Sequence, residues 1–151
     1  MSSQSSIQVA ISEYSPKIES HRPAPNSLSQ YRVEKPWGWE LWMDLNEFYA
    51  YKMIHMTAGH QCSLQSHEFK FEANFVIKGK AEVLLEEDGQ MKSYVFEAGS
   101  GWTVKPGQKH RVIAVTDYTA LEVSSPHLND VIRYQDDSGR GSGKIDSEHE
   151  L

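Results

Sequence analysis

The sequence predicts an all-β fold, a sandwich or barrel in a single domain. Short runs of aliphatic, aromatic and β-branched residues recur through the middle and later parts of the chain, spaced by roughly 8–12 residues. Glycine- and proline-bearing turn signals separate these runs. No sustained helical period competes with them.

Residues 1–30 read as a flexible arm. They are rich in Ser, Pro and Gln; Pro16, Pro23 and Pro25 work against a helix, and Ile7–Ile11 has length for only a short strand. Such an arm could cover its own domain or a partner subunit. Trp37, Trp39, Trp42, Phe48, Tyr49 and Tyr51 then cluster. Aromatic faces can stack on sugar rings, but more often they close a barrel end or a subunit contact.

The β pattern proper follows in residues 31–135. Tyr51, Met53 and His55 alternate with Lys52, Ile54 and Met56. Phe75–Ile77 runs into a turn at Gly79, and Ala81, Val83 and Leu85 alternate with Glu82 and Leu84 up to the hairpin dipeptide Asp88-Gly89. Tyr94–Phe96, Trp102–Val104 and Arg111–Val115 come next, divided by the Gly99–Gly101 and Pro106-Gly107 turns. Thr119–Val123 and Val131–Tyr134 complete the set, with a single helical turn expected at Pro126–Asp130. Residues 136–151 set five acids against two bases, with glycines between them, and predict a disordered acidic tail.

Composition bounds the function. The chain has 151 residues, the size of one domain, and a net charge of −6. With no basic run, an acidic chain is a poor nucleic-acid ligand. Mean hydropathy is −0.59, and no segment approaches the ~20 apolar residues of a membrane helix. The first residues have neither a basic start nor an apolar core, so no signal peptide is read and a cytoplasmic protein is expected. The single cysteine, Cys62, permits no internal disulfide and no cysteine zinc cage, and without an adjacent base it reads as packing. Any metal would need His, carboxylate and amide ligands.

One constellation offers those ligands. Gln65 and His67 are two apart and share a strand face; Glu72 follows by five residues, and His110 opens a later strand after the Pro106-Gly107 turn. A barrel would bring these strand ends to one mouth. Two imidazoles, a carboxylate and an amide oxygen suit a divalent ion with open positions. Spacing alone leaves a second reading open, because the chain has seven histidines and most isolated histidines are surface or satisfied core groups.

The fuller pattern resembles the cupins. Gly59, Gln65, His67, Glu72 and Gly79 match the spacing of the first cupin motif, with Gln65 in place of the more frequent His. Gly99, Lys105-Pro106-Gly107 and His110 match the second. A narrower resemblance is to the type II phosphomannose isomerases. It is carried by Lys35-Pro36-Trp37-Gly38, by Leu64-Gln65-Ser66-His67 with Lys70 and Glu72, and by Asp130–Arg140.

The resemblance implies a cupin jelly-roll barrel with a divalent metal on Gln65, His67, Glu72 and His110. Zinc or manganese is favoured, and iron or nickel is possible. It implies aldose–ketose isomerisation of a sugar or sugar phosphate, the metal polarising the carbonyl of the open-chain form. An iron-dependent dioxygenase and a non-catalytic sugar-binding cupin are the alternatives, since one barrel hosts many functions. Lys52, Arg111, Arg133 and Arg140 are the candidate anion-binding cations; Lys52 and Arg133 are taken as the catalytic pair, and Arg111, next to His110, as structural. Pairing of such cupins through an edge strand implies a homodimer, with the arm supplying the strand.

Overall fold

The structure, a computed structural model, describes residues 1–149. Its elements are a helix α1 (Ser3–Ser20), eleven strands and a closing 3-10 turn at Asp146–His149. The strands are β1 (Tyr31–Lys35), β2 (Gly38–Leu45), β3 (Ala50–Met56), β4 (Leu64–Ser66), β5 (Glu72–Lys78), β6 (Lys80–Glu87), β7 (Gln90–Glu97), β8 (Gly101–Val104), β9 (His110–Ala114), β10 (Tyr118–Ser124) and β11 (Ile132–Gln135). They form two antiparallel sheets, ordered β1-β2-β3-β10-β5-β8 and β11-β4-β9-β6-β7. No helix among the described residues is long and apolar enough to cross a membrane.

Strand alternation decides what enters the space between the sheets. Along β3 the buried residues are Ala50, Lys52, Ile54 and Met56; along β10 they are Tyr118, Ala120, Glu122 and Ser124. The two strands run antiparallel with Ala120 opposite Ile54 and Glu122 opposite Lys52. The interior is therefore apolar at one end, where Ile54, Met56, Val76, Val83, Trp102 and Val112 pack together. Toward the other end the same inward positions become charged. This gradient places a polar cavity at one mouth of the barrel.

The turn from β5 to β6 shows why the first motif ends on glycine. Gly79 has φ of +86°, and a Cβ there would lie 2.1 Å from the Asp117 carbonyl oxygen. Only glycine satisfies both the left-handed backbone and the close approach.

Two terminal expectations are corrected. Residues 3–20 are neither a loose arm nor a strand at Ile7–Ile11, but a helix capped by Ser2, whose hydroxyl accepts from the Ser5 amide at 3.1 Å. Ala10, Tyr14 and Ile18, spaced by four, bury against Tyr31, Val33, Trp42, Leu45 and Ala50. That packing outweighs the hydrogen bond lost at Pro16. A helical arm offers no edge strand for dimerisation.

The acidic tail is the second correction. Lys35 and Arg140 pair with Glu148, and Arg140 also grips Asp136. Asp136 and Glu148 thus meet buried cations instead of fraying in solvent, while Asp137 and Asp146 stay exposed. Glu150 and Leu151 lie outside the described residues. Pro126–Asp130 forms turns, not a helical turn.

His149 closes this segment against the helix, its Nδ1 2.7 Å from the Tyr31 hydroxyl. Burial first, then Lys35, Lys144 and Lys17, holds the imidazole down to about 4 from its ordinary 6.5. The fold needs it neutral, whereas the unfolded chain protonates it freely. Below pH 6.5 the unfolded state therefore binds the extra proton, and stability falls as pH drops toward 4. Urea denaturation at pH 7 and pH 5 should show this loss, and His149→Gln should flatten the slope.

Candidate metal centre

Cross-strand register assembles the site. Gln65 on β4 pairs with His110 on β9, and Arg133 on β11 pairs with Gln65 from the other side. Glu72 begins β5 in the facing sheet, where it lies opposite both Ser124 and Val104. His67 sits just past β4, in a loop pinned by Asp130. The Asp130 carboxylate accepts from the amides of Glu68, Phe69 and Lys70 at 2.9, 2.7 and 3.0 Å.

His67, Glu72 and His110 are all buried, and one ligand atom from each lies within 4.8 Å of the others. Glu72 Oε1 is 3.3 Å from His110 Nε2 and 3.9 Å from His67 Nε2. Ligands each about 2.0–2.2 Å from one ion stand at separations of this order.

The tautomers are set from behind. His67 Nδ1–H donates to the Asp130 carbonyl at 2.6 Å, and His110 Nδ1–H to the Gln108 carbonyl at 3.0 Å. Both Nε2 lone pairs are thereby turned to the same point. His67 Nε2 is buried and has no hydrogen-bond partner. Burial first, then the Lys70 charge, holds its protonation down to about 4, so it is a neutral base at neutral pH. An orphaned, deprotonated imidazole nitrogen facing a carboxylate is the donor chemistry a divalent ion requires. The residues fit such an ion.

Gln65 joins the group with a difference. Its amide nitrogen lies 3.4 Å from His110 Nε2, while its oxygen accepts from the Ser63 hydroxyl at 2.7 Å. Half a turn of the amide presents the oxygen instead.

Around the triad runs a buried charge network that the sequence reading had not assembled. Lys70 Nζ is 3.2 Å from Glu72 Oε2 and 3.8 Å from Glu122 Oε2. Burial works against the Lys70 charge, but Glu122 and Glu72 hold its ammonium above the usual range. Burial, with Glu72 beside it, pushes Glu122 up to about 8. Lys52 points inward, 3.4 Å from Glu40 and 4.3 Å from the centre of the Trp42 ring. Against the cost of burial, Lys52 and Lys35 hold Glu40 down to about 2. Alternation on β10 carried the signal for Glu122, two residues from buried Ala120.

The cavity has two overlapping chambers of about 100 and 90 Å³, which share Trp37, Glu40, Lys52, Cys62, Gln65 and Lys70. Arg133 lines the outer chamber, its Nη1 donating to the Gly143 carbonyl at 2.9 Å and also to that of Gly141. Arg111 is structural: its Nε donates to the Cys62 carbonyl at 2.8 Å and its Nη2 pairs with Asp137. Cys62 packs in the core with its thiol pushed up to about 11, first by burial.

Two antiparallel sheets closing over a His-Glu-His cluster at one mouth define a cupin. Residues 25–135 match the family model for the mannose-6-phosphate isomerase C-terminal domain, and the chain belongs to that family. Among solved structures it is similar to KdgF from Halomonas sp., with a TM-score of 0.55 and 18% identity over 63% of this chain and 84% of that one. Oxalate decarboxylase from Bacillus subtilis follows with a TM-score of 0.62 and 19% identity, over 72% of this chain and 32% of that one. CapF gives 0.60 and 14%, over 69% of this chain and 34% of that one. The chain thus spans about a third of the latter two proteins, and at these identities the likeness is one of fold. No curated protein sequence matches it.

Proposed function

We propose that this protein is a metal-dependent aldose–ketose isomerase acting on a sugar phosphate of the mannose 6-phosphate kind. The observation that carries it is the orphaned His67 Nε2, aimed with His110 Nε2 and Glu72 Oε1 at one point beside a cation-lined cavity. His67, Glu72 and His110 would hold a divalent ion, zinc or manganese by preference, with the Gln65 amide oxygen as a fourth ligand. When bound, it supplies a Lewis acid for the substrate carbonyl. Family membership supports the reaction class.

The chain's own residues do the rest. Lys52, fixed between Glu40 and the Trp42 face, presents an ammonium to the substrate's oxygens. Arg133 neighbours Gln65, which neighbours His110, so its backbone lies two strand spacings, roughly 10 Å, from that histidine. That offset separates a phosphate grip from the reacting carbons. Trp37 and Lys70 line the space between.

Protein loaded with zinc or manganese should interconvert mannose 6-phosphate and fructose 6-phosphate. Lys52→Met should lower kcat/KM at least about 100-fold, in line with the loss of a group acting on the transition state. Metal-replete wild-type protein that leaves both sugars unchanged would refute the mannose assignment.

A further inference from the structure

One carboxylate of the chain sits inside the cation cluster of the outer chamber. Glu148 Oε1 lies 2.7 Å from Lys35 Nζ, and Glu148 Oε2 lies 3.1 Å from Arg140 Nη1. Its side chain is only 8% exposed. Lys35, Arg140 and Glu148 all line the chamber that also contains His67 and Gln65. A third cation, Arg133, has no carboxylate partner among the described residues. Its Nη1 is spent on the carbonyls of Gly141 and Gly143, in the segment that carries Glu148, and its Nε is buried with no partner. The other buried cations of the cavity are matched, Lys52 by Glu40 and Lys70 by Glu72.

A carboxylate bridging an ammonium and a guanidinium has the geometry of a bound oxyanion. A phosphate monoester offers three oxygens and nearly two charges to the same donors. It would satisfy Lys35 and Arg140 together and give Arg133 the anion it lacks. Gly141 and Gly143 stand between Arg140 and Glu148 and leave that stretch of backbone free to swing.

We propose that Glu148 is a built-in stand-in for an anionic ligand, and that a phosphate group entering at Lys35, Arg140 and Arg133 displaces it and loosens residues 141–149. The site shares its cavity with the proposed isomerase and rests on that reading for the ligand's charge. Its test needs no turnover, so the two readings fail separately.

The probe is inorganic phosphate, titrated calorimetrically into the full-length protein, with chloride at equal ionic strength as the blank. Glu148→Gln should bind phosphate at least tenfold more tightly than wild type, and adding Arg133→Met should reverse that gain. In wild-type protein, saturating phosphate should speed amide hydrogen exchange across residues 141–149. Equal phosphate affinity in wild type and Glu148→Gln overturns the proposal. Should Glu148→Gln fail to fold, the exchange experiment decides alone: unchanged or slowed exchange in that segment overturns it.

Discussion

Replacing His110 by alanine is expected to abolish tight divalent-metal binding at the candidate centre, lowering affinity by well over 100-fold. The reason is geometric. His67 Nε2, His110 Nε2 and Glu72 Oε1 are three donors aimed at one point, and each imidazole is fixed by an Nδ1–H bond to a backbone carbonyl. Removing even an outer-shell partner in such sites costs about 10- to 100-fold, so removing a ligand costs more. Glu72 divides its two oxygens, Oε1 toward the histidines and Oε2 toward Lys70, which predicts that it binds through one oxygen.

His127→Ala is the control. His127 is also buried, but its nitrogens are occupied by the hydroxyls of Ser3 and Ser125 at 2.8 and 2.7 Å, so no lone pair remains for an ion. Elemental analysis of both variants, purified without added metal, checks the expectation. Equal metal content in His110→Ala and wild type would remove the centre from the account. Asp130→Ala should lie between the two, because it frees the loop that carries His67.

The contrast between these two histidines also explains how much of the site could be read from sequence. His67, Glu72 and His110 were legible through the resemblance to the two cupin motifs, since spacing alone left packing histidines open, and His67 stands in the loop after β4 and not on a strand face shared with Gln65. Strands β3, β6 and β10 follow a clean alternation, and the inward course of Lys52 follows once Ile54 and Met56 are known to face the core.

What was not legible depends on partners distant in sequence. Nothing near Glu122 announces Lys70, fifty-two positions away in the chain, and nothing near Glu148 announces Lys35. The tail looked disordered because its charges were counted without those partners. The helix was hidden for a related reason. Its apolar residues Ala10, Tyr14 and Ile18 form a narrow stripe within a polar, proline-bearing segment. Local propensity opposed it, and tertiary burial decided the outcome.

That burial makes a second large effect testable. Ile18→Ala should cost about 3 kcal/mol of stability, within the range for deleting a buried branched side chain. Ile18 is 0% exposed and packs in the cluster with Tyr31, Val33 and Trp42, so the vacated space has little room to collapse. For a chain of this size the loss corresponds to a fall of roughly 6–12 °C in Tm. Glu19→Ala, one residue on and facing solvent, should change stability by no more than about 0.5 kcal/mol.

The consequence reaches the cavity. Tyr14 meets Trp42 edge-on at 4.8 Å, Trp42 Nε1 donates to Glu40 at 2.8 Å, and Glu40 pairs with Lys52, whose ammonium also rests on the Trp42 ring. The helix is therefore the backing of the wall that aims Lys52. Loosening it should raise KM for a sugar phosphate in Ile18→Ala at temperatures where the variant is still fully folded, while metal content stays at the wild-type level. A variant that loses metal along with stability would show that the helix supports the whole barrel mouth and not the Lys52 wall alone.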